Sequence, residues 1–281
     1  MIVTIDEIKK KCSEERYFAY DSLQDRLFVP VAVYLVWFFV RFGVSGNAVS
    51  WLSALAAVMG AFLLTSSSSF VVFLGSFGYI LWCLLDYVDG AVARCNDKGS
   101  VAGQYIDWIM HVIAHIAIIA GIAIGAINSV GPWIYPFVIL GIVAAGLTYA
   151  KFSMAWFAVC MEQQQRRARG LDADLEEKAE TTAASGWLWL CFEYVRRLTI
   201  IIFHENFLIF TLPVMAVFQF SQVLGFIDFR VVFTVLAGGL YFPVQILEIH
   251  KLVVTKRIQK GYSELFSPDH IPDLPNDHFF K

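Results

Sequence analysis

Asp86-Tyr87-Val88-Asp89-Gly90-Ala91-Val92-Ala93-Arg94, followed by Gly103, Asp107 and His111, lies between two long apolar runs, residues 70–85 and 109–127. Carboxylates this close to a hydrocarbon span are costly to place and mark functional sites. On a helix Asp86 and Asp89 are three residues apart and share a face. Gly90 and Ala93 are small and lie on or near that face, so a ligand or a second helix can approach the backbone. Gly103, Asp107 and His111 are spaced by four and form one stripe of the following helix. Two such stripes, brought together, place three carboxylates and an imidazole around one cavity. Hard oxygen ligands of this kind suit Mg²⁺ or Mn²⁺, and an imidazole suits the softer end of that range.

The composition around this stretch sets the class. The chain of 281 residues is 58% hydrophobic and only 16% charged, where a soluble domain has about a quarter of its residues charged. The excess apolar residues are gathered into runs near bilayer length, which predicts an all-α integral membrane protein. A net charge of −3 carries no nucleic-acid signal, and no nucleic-acid partner is expected. The five cysteines (Cys12, Cys83, Cys95, Cys160 and Cys191) are odd in number and have no C-x-x-C spacing, so neither a zinc site nor a disulfide framework is expected. The first twenty residues include Lys9, Lys10, Lys11, Glu14, Glu15 and Arg16 without an apolar core, so a cleaved signal peptide is not expected either.

Three regions follow in order. Residues 1–45 read as cytoplasmic and interfacial helices, 46–258 as a six-helix membrane domain with a cytoplasmic loop at 161–197, and 259–281 as a proline-containing cytoplasmic tail. The spans are expected near 48–65, 70–86, 104–128, 133–160, 199–220 and 231–253. Residues 27–40 are apolar but short for a span, with Pro30 inside and Arg41 at the end, and read as an interfacial helix. Lys and Arg avoid the connections after the first and third spans, and the connection between the fifth and sixth holds only Arg230. The remaining basic residues cluster on the other side, which puts both termini and the aspartate motif in the cytoplasm of a multi-pass protein, in the cytoplasmic membrane if the source is bacterial. A seventh span at 27–40 would carry the amino-terminal basic cluster outside.

The motif resembles that of the CDP-alcohol phosphotransferases, D-x-x-D-G-x-x-A-R-x8-G-x3-D-x3-D. Seven of its eight positions match with spacing intact: Asp86, Asp89, Gly90, Ala93, Arg94, Gly103 and Asp107. His111 stands where the family has its fourth aspartate. The start at Gly46-Asn47-Ala48-Val49-Ser50 is similar to the family's P-N-x-x-T/S, with glycine for proline. The resemblance implies six transmembrane helices, a homodimer, and a metal-dependent transferase (EC 2.7.8.-) of phospholipid biosynthesis. Such an enzyme moves a substituted phosphate from a CDP-alcohol, here CDP-diacylglycerol or a similar lipid donor, to an acceptor alcohol and releases CMP.

By the same resemblance a pair of Mg²⁺ or Mn²⁺ ions would be held by Asp86, Asp89, Asp107 and His111. The cytidine diphosphate end would meet Asn47, Ser50, Asp86, Gly90, Ala93, Arg94 and Gly103. His111 would take the general-base role of the missing aspartate, which imidazole can fill near neutral pH. His115, one turn deeper, reads equally as a packing residue and as a substrate contact. Lys151, His204, Glu205 and Asn206 are candidates for acceptor binding, because polar groups at the edge of a span usually face a bundle interior. Two alternatives need no CDP-alcohol. An intramembrane prenyltransferase would need two aspartate-rich motifs, and only one appears in this sequence; a non-catalytic or ion-transporting membrane protein would use the carboxylates without a nucleotide.

Overall fold

The computed structural model describes residues 4–14, 23–96, 101–150, 187–221 and 228–254, and among them every regular element is helical. The chain clusters into two compact units, one formed by residues 1–146 and 197–242, the other by 147–196 and 243–281.

Helix α1 (Ile5–Glu14) opens with a capping box: Glu7 N–H donates to the Thr4 hydroxyl at 3.2 Å, and Thr4 N–H donates to the Glu7 carboxylate at 2.8 Å. Helix α2 (Leu23–Arg41) contains Pro30 and buries Val29, Ala32, Val33 and Val36, while Leu27, Val31, Tyr34 and Phe38 stay exposed on its other side. The next three helices are α3 (Gly46–Leu64), α4 (Ser69–Cys95) and α5 (Val101–Val130). They are followed by α6 (Pro132–Ala150), α7 (Trp187–Phe203) and α8 (Glu205–Phe220). The described chain ends with α9 (Phe229–Leu236), a π-helical turn (Ala237–Tyr241) and α10 (Phe242–Val254).

Among the described residues, five helices are long and apolar enough to cross a membrane: Gly46–Leu64, Ser69–Cys95, Ala102–Val130, Pro132–Ala150 and Phe229–His250. The segments Glu193–Phe203 and Phe207–Phe220, bent by 74° at a break around His204, make a sixth if they count as one span. An all-α integral membrane protein is therefore what the chain builds, and the segment expected as the fifth span, near 199–220, is bent around His204. Helix α4 carries Asp86 and Asp89 together, as their spacing predicts, and runs nine residues beyond the expected end of the second span at 86, to Cys95. Hydropathy falls at Asp86, yet a helix tolerates polar residues wherever one face points into a site. Residues 151–186 and 255–281, which include most of the expected cytoplasmic loop and the whole tail, lie outside the described residues.

Glycines bring α3, α4 and α5 together. A Cβ on Gly78 would lie 2.4 Å from the Gly60 Cα, and one on Gly121 would lie 2.4 Å from the Ala61 carbonyl oxygen. Helices without side chains at the crossing approach backbone to backbone, the usual way that apolar helices associate in lipid. The buried layer between them contains Ala57, Ala61, Leu64, Tyr79, Trp82, Ala114, Ile118 and Ile122.

At the end of this three-helix core opposite the aspartate motif, Arg230 is buried and fully engaged. Its guanidinium donates to the Leu64 and Ser66 carbonyls at 2.8 and 2.6 Å, to Ser129 Oγ at 3.0 Å and to Asp228 at 2.7 Å. Asp228 is also the N-cap of α9, accepting from Arg230 N–H at 2.9 Å, and Ser129 donates to it. Burial opposes ionisation of Asp228, but the hydrogen bonds and charge of Arg230 and the bond from Ser129 outweigh it and hold the carboxyl below its ordinary value. In the second unit Arg196 pairs with Glu193 of its own helix and with Glu248 of α10 at 2.5 Å, so its charge is neutralised within that unit.

Candidate active site

The site is assembled where α3 begins, α4 ends and α5 begins. Ser45 caps α3, its hydroxyl accepting from Ala48 N–H at 3.3 Å. A Cβ on Gly46 would fall 2.7 Å from both the Ala93 Cβ and the Asp89 carbonyl oxygen, so the start of α3 can lie this close to α4 only because residue 46 is glycine. That contact delivers Ser50, one turn on, to the motif. Its hydroxyl donates to Asp89 Oδ2 at 2.5 Å, and Asp89 is only 5% exposed. The charges of Asp107 and Asp86 both act on this buried carboxyl.

Helix α5 supplies the other half. His111 Nε2 lies 2.8 Å from Asp86 Oδ1 and 3.7 Å from Asp107 Oδ1. One ligand atom each from Asp86, Asp107 and His111 lie within 4.8 Å of one another, close enough for a single ion to contact all three. Two carboxylate oxygens and an imidazole nitrogen are a donor set that fits a divalent cation. The cluster is accessible, because the Asp107 side chain is 43% exposed while those of His111 and Asp86 are largely covered.

The other expected residues are placed as follows. The Arg94 guanidinium folds back over Gly90, where a Cβ would come 3.1 Å from Nη2, so the small residue admits the arginine. Asn47 is exposed in the first turn of α3, and Gly103 lies in the first turn of α5. His204 is exposed at the break between α7 and α8, and the Asp86–Asp107–His111 cluster does not include it. The side chains of Glu205 and Asn206, and Lys151 as a whole, lie outside the described residues. His115 is buried, with Nδ1 3.4 Å from the Tyr79 hydroxyl.

Sequence reasoning missed the aromatic residues that line the motif helix. Trp82 lies edge-to-face with the His111 ring at 5.1 Å between centroids, and Tyr79 stacks on Trp82 at 4.7 Å. Tyr87 donates to Asp25 of α2 at 2.6 Å, and Gln24 donates to the Cys83 sulfur at 2.9 Å, which ties α2 to the motif helix on both sides of Asp86. The available signal was the stripe Tyr79, Trp82, Asp86, Asp89 at helical spacing.

The fold and site define a multi-pass, all-helical membrane protein with a carboxylate–imidazole cluster between two adjoining spans. The family model for CDP-alcohol phosphatidyltransferase matches residues 43–217, and the chain belongs to that family. Its members are metal-dependent transferases of phosphate-containing groups that use a CDP-alcohol and an alcohol acceptor. A search of curated proteins found no match.

Proposed function

We propose that this chain transfers a substituted phosphate from a CDP-alcohol, with a lipid such as CDP-diacylglycerol as donor, to an acceptor alcohol and releases CMP. The observation that carries the reading is the placement of His111: its Nε2 faces Asp86 and Asp107 within one cluster. Nε2 cannot both ligate an ion and accept a proton at the same moment. In this reading Asp86, Asp89 and Asp107 hold the divalent cation and His111 is the base.

The acceptor hydroxyl attacks the phosphorus that carries the donor's alcohol. A new phosphorus–oxygen bond forms, the bridging bond to CMP breaks, and its electron pair leaves with CMP. The acceptor's proton goes to His111 Nε2. Arg94 neutralises phosphate charge from the side of Gly90. A divalent cation, when bound, offsets the negative charge on the diphosphate and on departing CMP. Ser50 keeps the buried Asp89 carboxyl in place, and Asn47 offers a polar group at the start of α3. The basic-residue asymmetry supports a site facing the cytoplasm.

The test is CMP release by purified protein across a panel of CDP-alcohols and acceptors, with Mn²⁺ binding measured in parallel. His111→Ala is expected to lose about a hundredfold or more in rate while still binding Mn²⁺, and His111→Asp to keep substantial activity. Loss of Mn²⁺ binding in His111→Ala would reassign the nitrogen as a ligand. Absence of CMP release from every donor would overturn the transferase reading.

A further inference from the structure

An aspartate and a histidine are not equivalent tenants of position 111. A carboxylate presents two equivalent oxygens and several lone pairs, so modest rotation still leaves one in place. Neutral imidazole presents one acceptor nitrogen, in the ring plane, and its terminal torsion is broad and roughly two-fold. A base built from histidine needs its ring held by something else. In this chain Asp86 Oδ1 meets Nε2 at 2.8 Å, and the ring itself is met by Trp82, one turn before Asp86 on α4, 1% exposed and edge-to-face with the His111 ring at 5.1 Å and 85°.

Trp82 is itself held. Tyr79 stacks on it nearly parallel, at 4.7 Å and 16°, and the Tyr79 hydroxyl lies 3.4 Å from Nδ1 of His115, the residue one turn beyond His111 on α5. The sequence His111, Trp82, Tyr79, His115 therefore closes a ring across the two helices that carry the site. The Trp82 indole N–H has no hydrogen-bond partner among the described residues.

From this geometry we infer that Trp82 is a positioning residue. It fixes the plane of His111 in the orientation observed, with Nε2 turned to Asp86 and Asp107 at the edge of the site, and Tyr79 and His115 hold Trp82 in turn. The inference rests on His111 being the base. It predicts which kinetic constant moves: losing the indole frees the imidazole, lowers kcat and leaves binding of donor and metal intact. A misaimed catalytic group costs on the order of a hundredfold.

The experiment is a double-mutant cycle at positions 82 and 111, with kcat, donor KM and Mn²⁺ affinity (by electron paramagnetic resonance in detergent) read for each variant. Trp82→Leu is expected to lower kcat by about a hundredfold with donor KM and Mn²⁺ affinity unchanged, and Trp82→Phe, which keeps a ring against His111, to recover most of the loss. In the His111→Asp background Trp82→Leu should cost little, because no imidazole plane is left to fix. An equal loss in both backgrounds, or Mn²⁺ affinity falling in step with kcat, would reduce Trp82 to a packing residue and overturn the inference. Full activity of Trp82→Leu beside an inactive His111→Ala overturns the inference alone, whereas full activity of His111→Ala overturns the base assignment and the inference together.

Discussion

Asp89 is the motif carboxylate sealed away from solvent, and among the described residues the Ser50 hydroxyl donates to it. A hydrogen bond to a buried carboxylate is worth roughly 1.5–3 kcal/mol, because losing it leaves part of the acceptor's demand unmet. Ser50→Ala is therefore expected to lower stability by about that amount and to reduce CMP release through a displaced Asp89. Thermal unfolding in detergent and the CMP assay check both; an unchanged melting temperature with full activity would show that the bond contributes nothing. This residue was visible in the sequence as part of a helix start, but its partner was not. The spacing of Asp86 with Asp89, and of Asp107 with His111, is local and could be read from helix geometry alone. Which hydroxyl or ring meets a given carboxylate or imidazole depends on how α3, α4 and α5 pack, and periodicity does not specify that. For the same reason the sequence does not single out Trp82 within the apolar run at 70–85.

Among the elements, the packing of α3 against α4 and α5 decides whether the site exists, and glycines control that packing. An added methyl group on Gly78 would collide with the Gly60 Cα at 2.4 Å, and neither backbone can yield without moving a helix. Gly78→Ala is expected to cost about 1–3 kcal/mol or more, as overpacking does, and to reduce activity by shifting α4 relative to Ser50. Gly146 in α6 is the control, since a Cβ there meets nothing within 4 Å. Gly146→Ala should be neutral or stabilising by up to about 1 kcal/mol, through helix propensity alone. Equal effects of the two substitutions on the melting temperature would count against the close approach of α3 and α4. The elements themselves were largely legible, because runs near bilayer length are a strong signal. Their limits were less so: α4 continues through the carboxylates, and the segment expected at 199–220 breaks around His204. Hydropathy averages over a window, and neither a polar face nor a bend changes that average.

At the scale of the whole molecule, charge is distributed so that one end carries the site and the other is stitched shut. Arg230 was the exception in the basic-residue asymmetry, and the structure accounts for it: its charge is met by Asp228 and its donors by carbonyls at the end of α3 and by Ser129 at the end of α5. It is a clamp on helix ends rather than a free cation in a loop. The proposed orientation can be checked in a cysteine-free background, where a cysteine at Asp97 should be labelled only from the cytoplasm and one at Ser67 only from outside. The clamp makes a further prediction with a definite sign. The Asp228 carboxyl is held below its ordinary value in the folded protein, so its contribution to stability is fully present above that ordinary value, about 4. It is lost as pH falls through the lowered folded value, when protonation removes the counter-charge of a buried arginine. Wild-type protein should therefore lose melting temperature on acidification below about pH 4. Asp228→Asn should begin lower at neutral pH and fall less, the difference near neutrality being about 1.5–3 kcal/mol for hydrogen bonds to a charged group. Other carboxylates titrate in the same range, so the difference between the two curves isolates Asp228. Parallel curves at every pH would mean that Arg230 holds the three helix ends through the carbonyls and Ser129 alone.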